Sequence, residues 1–194
     1  LSKRLIHGPN ANGQDHIVVN GGLAHFPFNI DEISGRRENS WIAIVHADGN
    51  GLGKLMQQMG KALREHPTIN PERTFLDFSS ALDNSTTGAA KAAFDAVVRP
   101  EVEEINILHK TGKVWIPMRP VILGGDDLTV IIRGDLAVPF TQEYLCQFEV
   151  ESHRLIGPLL GKLGLGEHGL TACAGITFIK TTYPFHFGYD LAKE

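Results

Sequence analysis

Apolar side chains follow one another almost without interruption from Trp41 to Ala47, and again from Leu128 to Ile132. Neither run alternates with polar residues as a half-wet strand does, so both predict strands buried on two faces. Val121-Ile122-Leu123 leads into Gly124-Gly125-Asp126-Asp127, and Leu128 leads out of it. That pattern predicts a β-hairpin over roughly 117–124 and 127–132 with the Gly-Gly-Asp-Asp at its tip. A further strand is expected from Leu170 to Ile179.

The remaining apolar positions recur at helical spacing. Leu52, Leu55, Met56, Met59 and Leu63 mark a helix that Pro67 stops. Pro71, followed by Glu72, opens a helical region that reaches Leu108. A break is expected in it around Asn84–Gly88, and its stripe of Phe75, Leu76, Phe78, Leu82, Ala89, Ala93, Phe94, Val97 and Val98 reads as core. Another helix is expected from Pro139 to Leu163, buried through Phe140, Tyr144, Leu145, Phe148, Leu155, Leu159 and Leu160. A last one opens near Pro184 and looks cut short over Phe187–Glu194.

The order β-α-α-β-β-α-β, with the long helical stretch counted as one crossing, predicts an α/β (α+β) ferredoxin-like βαββαβ fold. It implies an antiparallel sheet with helices on one face. The first strand would then lie beside the hairpin, bringing Asp48 to Asp126 and Asp127. Residues 1–40 read differently: a loop-rich extension with short strands around Ile17-Val18-Val19 and Phe26-Pro27-Phe28, and a charged linker, Gly35–Ser40. The expected division is 1–40 and 41–194.

The chemistry gathers where strands end. Asp126 and Asp127 are adjacent carboxylates on a tight turn; they repel each other and are costly to desolvate, so a divalent cation is their natural partner. The first strand ends in Asp48-Gly49-Asn50-Gly51-Leu52-Gly53-Lys54. An acidic residue at a strand's C-terminal end, followed by a glycine-rich turn into a helix, is where an α/β sheet presents chemistry. Mg²⁺ or Mn²⁺ would take oxygens from Asp48, Asp126, Asp127 and a backbone carbonyl such as that of Gly49. Gly49, Asn50, Gly51 and Gly53 would receive a triphosphate at the helix N-terminus, and Gly124 and Gly125 would leave it room. Lys54 and Lys180 are candidate phosphate partners. His46 reads as a hydrogen-bonded, partly buried histidine, Ser79 and Ser80 as solvent-facing or helix-internal, and Tyr183, Phe185, His186 and Phe187 as core filling at a helix entry.

Composition narrows the choices. The 194 residues are 42% hydrophobic, enough for a core, and no apolar run approaches the roughly 18–20 residues that cross a bilayer. No secretory pattern is visible, which points to the cytoplasm. A formal charge of −4 disfavours a stand-alone nucleic-acid binder. Cys146 and Cys173 form no zinc pattern and read as small buried hydrophobes, and the nine histidines show no HxxxH or HExxH spacing.

Three segments together, Ala47-Asp48-Gly49-Asn50-Gly51-Leu52-Gly53, Gly124-Gly125-Asp126-Asp127-Leu128 and Ala174-Gly175-Ile176 through Tyr183-Pro184, resemble the palm domain of the large polymerase–cyclase subunit of type III CRISPR effector complexes. The likeness covers residues 41–194; more distantly the chain is similar to GGDEF diguanylate cyclases and class III nucleotidyl cyclases. The resemblance implies ATP and two Mg²⁺ or Mn²⁺ ions, with a ribose 3′-hydroxyl joined to an α-phosphate. Products would be cyclic oligoadenylates serving antiviral defence. Asp126 and Asp127 match the family's catalytic pair, and Asp48 the acid that closes the first strand. It also implies a second palm or a homodimer, and ribonucleoprotein subunits as partners. One position departs: Asn50 stands where relatives often carry a second acid. That supports an alternative reading, an inactive nucleotide-binding or scaffolding palm. A diguanylate cyclase ranks behind both, because Leu128 follows the second Asp.

Overall fold

The computed structural model describes residues 16–19, 22–34, 41–108 and 114–194. The Gly35–Ser40 linker and residues 1–15 lie outside them. A four-stranded antiparallel sheet forms from β3 (Trp41–Gly49), β5 (Met118–Gly124), β6 (Asp127–Arg133) and β7 (Ala172–Lys180), in the order β5-β6-β3-β7. This is the ferredoxin-like arrangement. β3 is central, and from Ile42 to Ala47 every side chain is buried, as its apolar run requires. Pro120 fits because β5 is an edge strand, where a missing N–H costs no ladder bond. A second, small sheet joins β1 (His16–Val19) and β2 (Gly22–His25), with β2 also pairing in parallel with β4 (Val114–Trp115).

Alternation along β3 divides the interior in two. Ala43, Val45 and Ala47 face the larger core, built with α2 (Leu52–Glu65), α3 (Pro71–Ala93) and α5 (Gly134–Lys162). Phe78, Phe140, Tyr144 and Phe148 fill it; each such ring contributes about 1.5–3 kcal/mol when buried. Ile42 and Ile44 face the opposite way, towards Ile33 of α1 (Ile30–Ile33) and Ala192 of α6 (Phe185–Lys193). The two crossover helices thus share one face, and α6 adds cover on the other. Gly175 makes this close fit possible, since a Cβ there would lie 2.0 Å from the Ala192 carbonyl oxygen.

Several local expectations need correction. Helix α3 runs unbroken through Asn84–Gly88, where Ser85 and Thr86 are buried rather than exposed in a loop. Ser85 donates to the Ala81 carbonyl, so its hydroxyl is satisfied within the helix. The irregularity falls later, in a π-turn from Phe94 to Val98 that precedes α4 (Arg99–Leu108). Helix α5 starts at Gly134, before Pro139, with Asp135 in its first turn. Cys146 and Cys173 are both exposed, because one lies on the outer side of α5 and the other on an edge strand. Tyr183 and Phe187 also stay exposed; of the aromatic helix entry, Phe185 is the residue that packs on the core. Ser79 and Ser80 face solvent.

Candidate metal and nucleotide site

The hairpin closes with a two-residue turn, since Gly124 pairs directly with Asp127. Gly125 takes φ +63°, the left-handed conformation that glycine adopts without a Cβ penalty. Asp126 follows it at the tip, and Asp127 begins β6. Asp48 closes the neighbouring strand: β3 and β6 are in register from Ile42↔Arg133 to Ala47↔Leu128. The next residue of each strand therefore brings Asp48 beside Asp127. One carboxylate oxygen from each of Asp48, Asp126 and Asp127 lies within 4.8 Å of the others.

The approach is tight. A Cβ on Gly49 would sit 2.9 Å from Asp126 Cβ, so the strand end accepts the hairpin tip only because residue 49 is glycine. Burial raises the Asp126 carboxyl above its ordinary value, and the charges of Asp127 and Asp48 add to that; the Asp48 carboxyl is within hydrogen-bond reach of it. Among the described residues none of the three carboxylates makes an ion pair with Lys or Arg. Hard oxygen donors, spacing and uncompensated charge fit a divalent cation such as Mg²⁺ or Mn²⁺.

The glycine-rich turn lies beside this cluster. Gly51, at φ +72°, stands at the cap position of α2 and makes no side-chain hydrogen bond to the helix. Gly53 and Lys54 form the exposed first turn. Asn50 is committed elsewhere: its backbone N–H donates to the Thr171 carbonyl and its Nδ2 to Thr171 Oγ1, 2.9 Å away. Lys180 does not join the site. It pairs with Trp41 at the opposite end of the sheet, seven residues or roughly 24 Å along the strand from Cys173, which pairs with Asp48. Its ammonium sits 4.2 Å from the Trp41 ring centroid. His46 is buried and its Nδ1 shares a 2.9 Å hydrogen bond with Thr129 Oγ1, as its pattern predicts.

Sequence reasoning missed the residues behind the tip. Thr86 Oγ1 donates to the Gly125 carbonyl at 2.6 Å, and Gly125 N–H donates to Asp83 Oδ1 at 3.2 Å. The Tyr144 hydroxyl lies next to Thr86, fully buried and without a hydrogen bond of ordinary geometry. The i, i+3 spacing of Asp83 and Thr86, on one helix face, was the available signal.

A ferredoxin-like sheet carrying three converging carboxylates at its hairpin end defines a palm-type fold. Solved structures of the Csm1–Csm4 cassette share it. This chain matches the Csm1–Csm4 cassette in complex with one ATP at TM-score 0.54 and 17% identity, over 90% of its own length and 21% of that chain. It matches the cassette in complex with pppApA at TM-score 0.54, 16% identity, 90% and 21% coverage. The corresponding values for the complex with cA4 are 0.54, 16%, 89% and 21%. The chain thus spans about a fifth of those chains' length. The motif resemblance to the type III CRISPR palm and this likeness in fold agree. No protein-family model and no curated protein matches the sequence.

Proposed function

We propose that the protein is a metal-dependent nucleotidyltransferase that uses ATP to form 3′–5′ linked cyclic or linear oligoadenylates, acting in the cytoplasm as part of CRISPR-type antiviral defence. The observation that carries this reading is the convergence of Asp48, Asp126 and Asp127 within 4.8 Å, from two strands distant in sequence. Further support comes from the solved cassettes of the same fold, which are in complex with ATP, pppApA and cA4.

Asp48, Asp126 and Asp127 would hold the Mg²⁺ or Mn²⁺, joined by the Gly49 carbonyl. When bound, the cations lower the pKa of the attacking hydroxyl and neutralise charge on the leaving pyrophosphate. The 3′-oxygen of one ribose forms a bond to the α-phosphorus of a second ATP as the bond to the β-phosphate oxygen breaks. Pyrophosphate leaves and the hydroxyl proton passes to water. The uncapped start of α2 offers backbone N–H groups to the phosphates, with Lys54 in the same exposed turn. Gly124 and Gly125 keep the approach open; a Cβ at Gly125 would meet nothing within 4 Å. A second palm, from another copy or a partner subunit, would present the second nucleotide, and CRISPR ribonucleoprotein subunits would be further partners.

Asn50 favours a second reading, a nucleotide-binding palm that serves assembly alone. Its side chain ties the β3 end to Thr171 instead of adding a fourth acid. Mass spectrometry of products from ATP with Mn²⁺ separates the two, and a parallel incubation with GTP tests the diguanylate alternative. The wild-type protein should form adenylate products, at a rate reduced by about a hundredfold or more in Asp126→Ala or Asp127→Ala. Folded variants that turn over ATP at the wild-type rate would reject the enzyme, and ATP binding without any product would select the assembly role.

A further inference from the structure

We propose that Asp83 and Thr86 of α3 are positioning residues that fix the hairpin tip and so set the spacing of the three carboxylates. The inference deepens the metal-site reading given above and rests on it for its bearing on function. The tip itself is poorly held by packing. Gly125 is exposed, has no side chain, and a Cβ built there would touch nothing within 4 Å. A two-residue turn carrying Asp126 is also under load, since like charges at this spacing repel and push Asp126 away from Asp48.

Two hydrogen bonds from one helix face oppose that load. Thr86 grips the Gly125 carbonyl and Asp83 grips its N–H, so both polar groups of the same peptide residue are taken by α3. Thr86 is fully buried, so the hydroxyl end of its 2.6 Å bond is screened from competing water. The Tyr144 hydroxyl lies buried beside Thr86 without a hydrogen bond of ordinary geometry, so this side of the clamp is closed to solvent. Beside Gly49 there is no room to spare, since a Cβ at that position would lie 2.9 Å from Asp126 Cβ. The carboxylate is thus set between a strand end and a helix clamp.

The test pairs amide hydrogen exchange at Gly125, measured by NMR on the metal-free protein, with Mn²⁺ binding measured by calorimetry. Thr86→Val keeps the shape and removes the donor; it should speed Gly125 exchange and weaken Mn²⁺ binding, each by about tenfold. Thr86→Ser restores the hydroxyl and should return both to within about twofold of wild type. A folded Thr86→Val protein with unchanged exchange and affinity overturns the clamp, as does a Thr86→Ser protein that behaves like Thr86→Val. Should Thr86→Val not fold, Asp83→Ala decides: faster Gly125 exchange supports the clamp and an unchanged rate overturns it. A wild-type protein that binds no Mn²⁺ refutes the metal-site reading instead, while the exchange data still judge the clamp.

Discussion

The two ends of β6 carry charged side chains in opposite circumstances. At its start, Asp127 joins Asp48 and Asp126 in a cluster with no cation beside it among the described residues. At its end, Arg133 donates to Asp135 at 2.6 Å and also pairs with Glu101. The consequences run in opposite directions. The Asp126 carboxyl is raised, chiefly by burial and then by its acidic neighbours, whereas Arg133 holds the Asp135 carboxyl below its ordinary value. One end has its charges matched by the fold; at the other they stand unmatched among the described residues. Uncompensated charge of this kind is a mark of chemistry rather than of stability.

That contrast can be broken at the carboxylate end most severely. Gly49→Ala places a Cβ 2.9 Å from Asp126 Cβ and must push the tip outward. Adenylate formation should fall by about a hundredfold, the scale of loss from a displacement of about 1 Å at a reacting centre, read from initial rates with ATP and Mn²⁺. A rate within twofold of wild type would show that the spacing is not critical.

At the other end, Arg133→Gln should leave turnover unchanged and destabilise the protein by about 1–2 kcal/mol, seen as a lower midpoint in urea. The figure is modest because Asp135 is largely exposed, with side-chain exposure of 61%. Loss of turnover in a folded Arg133→Gln protein would mean that the two ends are coupled.

The smallest effect is a pH signature in metal-free protein. A carboxyl raised in the folded state favours folding while it is protonated, and that contribution is lost as pH rises through its folded pKa. Asp126 should therefore cost stability from about pH 4 upward, close to its ordinary value of 3.8. Asp135, being lowered, contributes above its unfolded value and loses that contribution as pH falls through its folded pKa. In EDTA, the melting temperature of Asp126→Asn relative to wild type should rise between pH 4 and pH 7, by a few degrees at most. A difference that is flat across this range would contradict the assignment.

The fold was legible in the sequence where one signal dominated. The apolar run 41–47 marks the central strand, and Gly-Gly-Asp-Asp between apolar segments marks the hairpin, so the meeting of Asp48 with Asp126 and Asp127 followed from topology. Legibility failed at Asn84-Ser85-Thr86-Thr87-Gly88. These residues favour turns in isolation, and their composition predicts a break. In the fold, Ser85 bonds back to Ala81, Thr86 reaches Gly125, and Gly88 lies beside Glu151 of α5. Tertiary partners outweighed local preference, and the segment that read as a gap is the one that touches the site. Lys180 was misplaced for a simpler reason: it is the last residue of a strand that runs away from the carboxylates, so proximity to the last strand did not mean proximity to its useful end.

The π-turn from Phe94 to Val98 sets the angular phase of what comes after it. The Arg99 N–H reaches back to Phe94, one residue further than an α-helix allows. Val98 and Val102, both fully buried, owe their inward aim to that extra residue. Deleting Asp95 or Ala96 would rewind the following residues by roughly 100° and roll both valines towards solvent.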